Sequence, residues 1–455
     1  MSDLLTVILA AGKGTRMKSD VTKVLHPIAG KEMLKHVVET VTELESKIVT
    51  VVGYQAEKVK EKMGDYEIDF VEQKEQLGTA HAVMQAKEQI KKHDGPVLVL
   101  YGDTPLLKKT TIEKMIQKHK QSEAGLSILT AKVDNPTGYG RIIRNENGQV
   151  TRIVEEDDTT KKEKNIKEIN SGVYCFDSNL LAKSLDNIDC DNAQNEYYLT
   201  DAVDYIKNKG NKVVPVVIED NKEITGVNDR SSLAKAEKIL RKRINEKLMA
   251  SGVTIIDPAT TYIDKDVVIE RDTVIYPFTY IEKSTVIAKN SVIGPNSRLV
   301  GAKIGSNVEL KSNCQIWESE IGDYCTIGPF AYIRPGCKIA DEVKVGDFVE
   351  LKKAQVGEKT KVPHLSYVGD AKIGQKTNIG AGTIFANYDG ENKHKTEVGD
   401  SVFVGSNTTL VAPVKLGNRA KSGAGSVVTK DVDKNTVVLG VPARVHSKTK
   451  KDQDD

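Results

Sequence analysis

The chain has 455 residues, too many for one ordinary hydrophobic core, so at least two domains are expected. Its 66 basic residues nearly balance 64 acidic ones, a formal charge of +2 spread along the chain, which gives no electrostatic case for a nucleic-acid partner. No apolar run reaches the ~20 residues that cross a bilayer, so no membrane partner is expected either.

Five cysteines, Cys175, Cys190, Cys314, Cys325 and Cys337, are odd in number and form no CxxC pair. Reduced thiols in a cytoplasmic chain are the expectation. The opening MSDLLTVILAAGKG lacks a basic leader and runs into a glycine loop, so it reads as a first strand rather than a signal peptide. The charged tail KTKKDQDD, from Lys448 to Asp455, is expected to fray.

The first half alternates short β-rich apolar runs (5–9, 48–52, 97–100) with helical patterns (33–44, 79–93). That order predicts a parallel sheet with helices on both faces, a Rossmann-like α/β unit over 1–229. Ligands then sit beyond the carboxyl ends of the strands. The first such end reads Leu9, Ala10, Ala11, Gly12, Lys13, Gly14, Thr15, Arg16, with Lys23 following. Small residues let backbone N–H groups approach phosphate oxygens, and Lys13, Arg16 and Lys23 can neutralise them. The loop is neither GxxxxGK[ST] nor GxGxxG, and a glycine-rich turn alone is weak evidence. Asp103 directly follows the run 97–100, at another carboxyl end, although a lone Asp there also serves as a turn or cap residue.

Residues 230–251 predict one helix, with Asp229 or Ser231 as cap, Leu233, Ala236, Leu240 and Ile244 on one face, and Gly252 as terminator. It reads as a linker between domains.

From Gly252 onward the period changes. An aliphatic residue recurs every six positions, from Ile263 to Leu299, then in successive runs starting at Ile304, Ile321, Val356, Ile373 and Val398. Six fits a triangular coil with one inward residue per side, so 252–455 is expected to form a left-handed parallel β-helix of hexapeptide repeats. Chance alternation in a β-sandwich cannot hold that register so long. Glycines beside the inward residue (Gly322, Gly328, Gly374, Gly380, Gly405) suggest corners that need φ > 0. Between Phe385 and Val398 the period breaks into a loop, ANYDGENKHK. Arg334 and Lys352 lie three six-residue steps apart, hence at one corner of neighbouring coils, where stacked cations make a phosphate clamp. His364, beside Tyr367, is expected next to that corner and is the best base available, though a structural histidine is the plain alternative.

These motifs carry two resemblances. Gly-Thr-Arg-Met at 14–17, Lys23-Val24-Leu25, Gln76-Leu77-Gly78-Thr79, Gly138-Tyr139-Gly140, Asn170-Ser171-Gly172 and Gly226-Val227-Asn228 resemble the nucleotidyltransferases that act on sugar 1-phosphates. HLSYVGDAKIGQKTNIGAGTIFANYDG extends the match, over nearly the whole chain, to the bifunctional acetyltransferase–uridylyltransferases that make UDP-N-acetylglucosamine for cell-wall and lipid A synthesis. The resemblance implies a nucleotide and sugar site of Leu9, Ala10, Ala11, Gly12, Lys23, Gln73, Gly78, Thr79, Gly140, Glu155, Asn170 and Asn228. It implies Arg16 and Lys23 as catalytic cations, and Asp103 with Asn228 as ligands of Mg²⁺. By itself Glu155 could be a solvated charge, Asn170 a turn former and Asn228 a helix cap.

For the coil, the resemblance implies His364 as proton acceptor and Arg334, Lys352, Tyr367 and Asn378 around glucosamine-1-phosphate. Ala381, Asn387, Tyr388, Ser406 and Ala424 would surround acetyl-CoA, and the resemblance leaves a contact from Arg444 open. The co-substrates are UTP and acetyl-CoA, acetylation preceding uridylyl transfer, and the assembly is a homotrimer through the coil. The competing readings are a single-activity pyrophosphorylase with a structural coil, and a non-catalytic assembly subunit.

Overall fold

In the computed structural model, residues 3–448 are described, and the last seven residues of the predicted tail lie outside them. The chain divides into two compact units after Leu240, inside the helix Arg230–Ala250.

The first unit is built on a nine-stranded sheet. Its main path runs Val213–Val217, Leu126–Lys132, Glu168–Asp177, Pro96–Tyr101, Leu5–Ala10, Lys47–Val52, Asp69–Glu72. Leu5–Ala10 is buried throughout and pairs in parallel with both neighbours, which explains its run of apolar residues rather than an alternation. The sheet is not wholly parallel as expected. Glu168–Asp177 runs antiparallel to Pro96–Tyr101 and to Leu126–Lys132. The segment leading into it carries the hairpin Arg141–Arg144/Val150–Val154 in place of a helical crossover, so the chain can return in the opposite direction. The helix expected over 79–93 is two short ones, Thr79–Met84 and Lys87–Lys91, meeting at the non-helical Ala86.

The helix Arg230–Ala250 starts at a reciprocal cap. Asp229 Oδ1 accepts the Ser232 amide at 2.7 Å, while the Ser232 hydroxyl accepts the amides of Asn228 and Asp229 at 3.0 Å. Its end is closed by Gly252 at φ 97, with the Val253 amide returning to the Leu248 carbonyl at 3.1 Å. Within the first unit Ala236 packs with Ile28, Met33, Leu106 and Val227; within the second, Ile244 and Leu248 pack against the coil core.

The second unit is a left-handed parallel β-helix whose three faces are sheets of 12, 10 and 9 strands. On the first face Ile275, Ile293, Leu310, Ile327, Val345 and Val362 stand in register, all fully buried, one per coil. This column is what the period of six encodes. The glycines beside the inward residues have a different reason from the expected one. Of the five, only Gly328 has positive φ. A Cβ on Gly322, Gly374, Gly380 or Gly405 would stand 2.7 Å or less from backbone of the next coil, so these glycines permit stacking. Many left-handed positions carry other residues, among them Asn290, Asn296, Asn307, Asn313 and Asn407.

Candidate active sites

The first candidate site forms where Leu5–Ala10 and Pro96–Tyr101 end side by side. The Gly102 amide donates to the Leu9 carbonyl at 2.9 Å, and the Val227 amide to the Asp103 carbonyl at 2.9 Å, bringing three distant segments to one point. There the Lys23 ammonium donates to the Asp103 carboxylate and, at 3.0 Å, to Asn228 Oδ1, which also accepts from Arg16 at 3.1 Å. Gly14, at φ 62, allows this approach, since a Cβ would meet Lys23 Cβ at 2.6 Å. Gly12 has open space where its side chain would be. A carboxylate and an amide oxygen thus converge on a single cationic group, a donor set that fits a hard divalent cation. Among the described residues no cluster of three or more His, Cys, Asp and Glu side chains offers an alternative metal site.

A second group lies farther along the sheet. The Asn170 amide donates to the Gly140 carbonyl at 2.8 Å, and a Cβ on Gly140 would touch Glu155 Oε2 at 3.2 Å, so Gly140, Glu155 and Asn170 meet. Asn170 is held by the Tyr174 hydroxyl at 2.6 Å. Burial pushes Glu155 up, against a hydrogen bond from Thr200 that lowers it. Asp201 nearby is pushed up to about 6, by burial first and then by Asp204, Asp189 and Asp158. Gln73 is buried and donates to the Gly78 carbonyl at 3.2 Å; Gly78 is tucked against the Tyr197 backbone, and Thr79 Oγ1 accepts the Leu199 amide at 3.0 Å. Gln73, Gly78 and Thr79 therefore form a local turn.

On the coil, Arg334 and Lys352 are stacked on the second face, with the Arg334 amide on the Leu351 carbonyl at 2.9 Å. Arg334 pairs with Glu350 at 2.9 Å and Lys352 with Asp370 at 3.4 Å. Asn387 also donates to Asp370, at 2.5 Å, and the loop after it folds back so that Tyr388 bridges to Lys393. The ammonium of Lys352 is the main reason the Lys393 amine is held below the usual lysine range. Amines gathered in this way favour an anionic neighbour, a place that Asp370 takes beside Lys352.

His364 is not at that corner. It ends the first-face strand Lys361–His364, whereas Lys352 ends the second-face strand Glu350–Lys352. Two six-residue steps lead two sides round the triangle, so the residue reached is at the preceding corner. Tyr367 opens the second-face strand Tyr367–Gly369 that spans the distance between them. Above His364, the Gly382 amide donates to the His364 carbonyl at 3.3 Å, the Asn407 amide to Ala381 at 2.7 Å and the Gly425 amide to Ser406 at 2.8 Å. His364, Ala381, Ser406 and Ala424 thus rise along one corner. Asn378 begins the first-face strand Asn378–Ile379 that leads to Ala381, and Arg444 is exposed on the closing hairpin Thr436–Gly440/Ala443–Lys448. Asp347, Glu350, Asp370 and Lys393 were not singled out from the sequence. A spacing of one coil was the signal available for Asp347, 17 residues before His364, and for Asp370, 18 residues after Lys352.

A nucleotidyl transferase family model matches residues 5–237, models for a GMPPB C-terminal domain and a hexapeptide repeat of succinyl-transferase match 259–356 and 395–430. "Bifunctional protein GlmU" of Listeria monocytogenes serotype 4a (strain HCC23) is 50% identical over 433 residues, 95% of this chain and 94% of the relative. The chain belongs to the GlmU family. The GlmU proteins of Acetivibrio thermocellus and Brevibacillus brevis are 49% and 47% identical, over 96% and 98% of this chain and 95% and 96% of their own length. As a GlmU-family member the chain is a bifunctional transferase, with a nucleotidyl-transferase unit preceding a hexapeptide unit. No described helix is long and apolar enough to cross a membrane.

Proposed function

We propose that the chain acetylates glucosamine-1-phosphate from acetyl-CoA and then couples the product to UTP, releasing pyrophosphate and UDP-N-acetylglucosamine. Residues 1–229 carry uridylyl transfer, 230–251 link, and 252–455 carry acetyl transfer. The observation that carries the first activity is the convergence of Lys23, Arg16, Asp103 and Asn228 from distant parts of the chain. Asp103 and Asn228 would hold Mg²⁺, which supplies charge neutralisation at the phosphates. Backbone N–H groups of Ala11 and Gly12 receive the triphosphate, and Gln73, Gly78 and Thr79 border the base. Gly140, Glu155 and Asn170 hold the sugar. The sugar-phosphate oxygen is already ionised near neutral pH, so it attacks the α-phosphorus without a protein base while Arg16 and Lys23 balance the charge that develops.

For acetyl transfer, Arg334 and Lys352, with Lys393, grip the sugar phosphate, and Tyr367 and Asn378 orient the ring. Ala381, Asn387, Tyr388, Ser406 and Ala424 border acetyl-CoA, and a backbone N–H at Ala381 faces the oxyanion. His364 accepts the proton that the sugar ammonium must lose. Its corner and the Lys352 corner are one side apart within a chain. A homotrimer, in which one copy's corner meets the next copy's, would bring both to one site. The chain is assigned to the cytoplasm, where UTP and acetyl-CoA are supplied.

The test is a dropout assay: UTP, acetyl-CoA and glucosamine-1-phosphate together and with each omitted, with N-acetylglucosamine-1-phosphate as a further substrate. Thiol release must require the amino sugar, and pyrophosphate release from the unacetylated sugar must require acetyl-CoA. Uridylyl transfer without any acetyl transfer would return the chain to a single-activity pyrophosphorylase.

A further inference from the structure

Asp347 lies directly beneath His364, its partner in parallel register on the neighbouring coil, and its carboxylate is hydrogen-bonded to His364 Nδ1. The backbone holds the two together independently of that bond. The residues that follow them, Phe348 and Leu365, turn the corner at φ 55 and φ 48, and the Leu365 amide donates to the Asp347 carbonyl at 2.9 Å. Left-handed backbone is unfavourable for large apolar side chains, so its repetition on two stacked coils shows a corner held in place by its surroundings. Both side chains are accessible, His364 at 55% and Asp347 at 34%, so the imidazole can meet a substrate while one nitrogen stays bound. His364 is also what chiefly holds the Asp347 carboxyl below the usual range.

We propose that Asp347 is the positioning residue of acetyl transfer: it accepts the Nδ1–H of His364, leaving Nε2 as the nitrogen that carries the lone pair. The inference rests on His364 being the base. The amine nitrogen attacks the thioester carbon and its proton passes to Nε2; the C–S bond then breaks and the imidazolium proton goes to the departing sulfur. Asp347 stays ionised throughout and balances the imidazolium that forms between the two steps. The other charges near this pair are few. Lys344 and Lys361 stand three residues earlier on the same two strands, Lys311 acts on Asp347 from below, and Tyr367 opens the next side. The stretch above, Asn378 to Gly382, carries no charge.

The experiment compares Asp347→Ala, Asp347→Asn and His364→Ala in the full-length protein, measuring kcat and KM of acetyl transfer with uridylyl transfer as the internal control for folding. Asp347→Ala is expected to lower kcat about tenfold with KM for the sugar phosphate nearly unchanged. Asp347→Asn keeps an acceptor for Nδ1–H, so it should recover much of kcat, a rescue that a merely structural role of the charge would not give. Native kcat in both Asp347 variants would overturn the pairing. If His364→Ala is inactive in that case, only the role of Asp347 fails; if His364→Ala retains acetyl transfer, the assignment of the base fails as well.

Discussion

Replacing Asp103 by asparagine perturbs the nucleotide site with the least change of shape. The Asp103 carboxylate and the Lys23 ammonium are 15% and 16% exposed, so their pairing is partly desolvated. Losing one charge from it should cost about 1–3 kcal/mol of folding stability, between the values for surface and buried pairs. For a unit of this size that is a fall in Tm of a few degrees. The loss in catalysis should be larger. Asp103 supplies one of the two oxygens that converge on the cationic group, and the variant leaves a neutral amide in its place. By analogy with removing one preorganised electrostatic group, kcat for uridylyl transfer should fall about a thousandfold, ~4 kcal/mol at ~1.36 kcal/mol per decade. Pyrophosphate release from UTP and N-acetylglucosamine-1-phosphate measures the loss, and acetyl-CoA-dependent thiol release from glucosamine-1-phosphate measures what is spared. Uridylyl transfer within threefold of native would refute the reasoning. So would equal loss of both activities in a protein that still melts normally.

Lys393→Ala should raise KM for glucosamine-1-phosphate about tenfold and leave KM for acetyl-CoA nearly unchanged, because it removes one of the cations gathered at the Lys352 corner; initial-rate kinetics in both substrates decide it. Gly374→Ala should weaken the coil by about 1–3 kcal/mol, since its Cβ would lie 2.6 Å from the Gly399 carbonyl carbon and 2.3 Å from Asp400 Oδ1. Urea unfolding followed by circular dichroism reads that loss. Asp201 titrates at about 6 when folded and 3.8 in the reference state. Its raised value stabilises the fold below about pH 4, and that contribution is lost as pH rises through about 6. Asp201→Asn should therefore be the more stable form near pH 7, by about 1–2 kcal/mol after allowing for solvent, with the gain shrinking toward pH 4. Denaturation midpoints at several pH values check the sign.

The coil was legible because one aliphatic residue per side repeats, and because the column from Ile275 to Val362 is buried against its own copies. Asp103 was legible at a strand end, and Lys23 and Asn228 as motif residues. Their mutual contact was not, since residues 80 and 205 positions apart meet only through the sheet order. The antiparallel strand Glu168–Asp177 was missed because strand direction follows from the connection rather than from the strand's own residues. The glycines were found for the wrong reason: a period marks the corner but cannot tell φ > 0 from close stacking. Asp347 and Asp370 were overlooked because carboxylates on a coil look like ordinary surface charge until register sets them beside His364 and Lys352.

The central claim is that one chain carries two independent sites linked by a freely diffusing acetylated sugar phosphate. It is tested most directly by mixing the purified Asp103→Ala and His364→Ala variants with UTP, acetyl-CoA and glucosamine-1-phosphate. Each variant alone should form no UDP-N-acetylglucosamine, and the mixture should form it at a rate set by the less abundant partner. A silent mixture of two folded variants, each retaining its own half of the chemistry, would contradict the account.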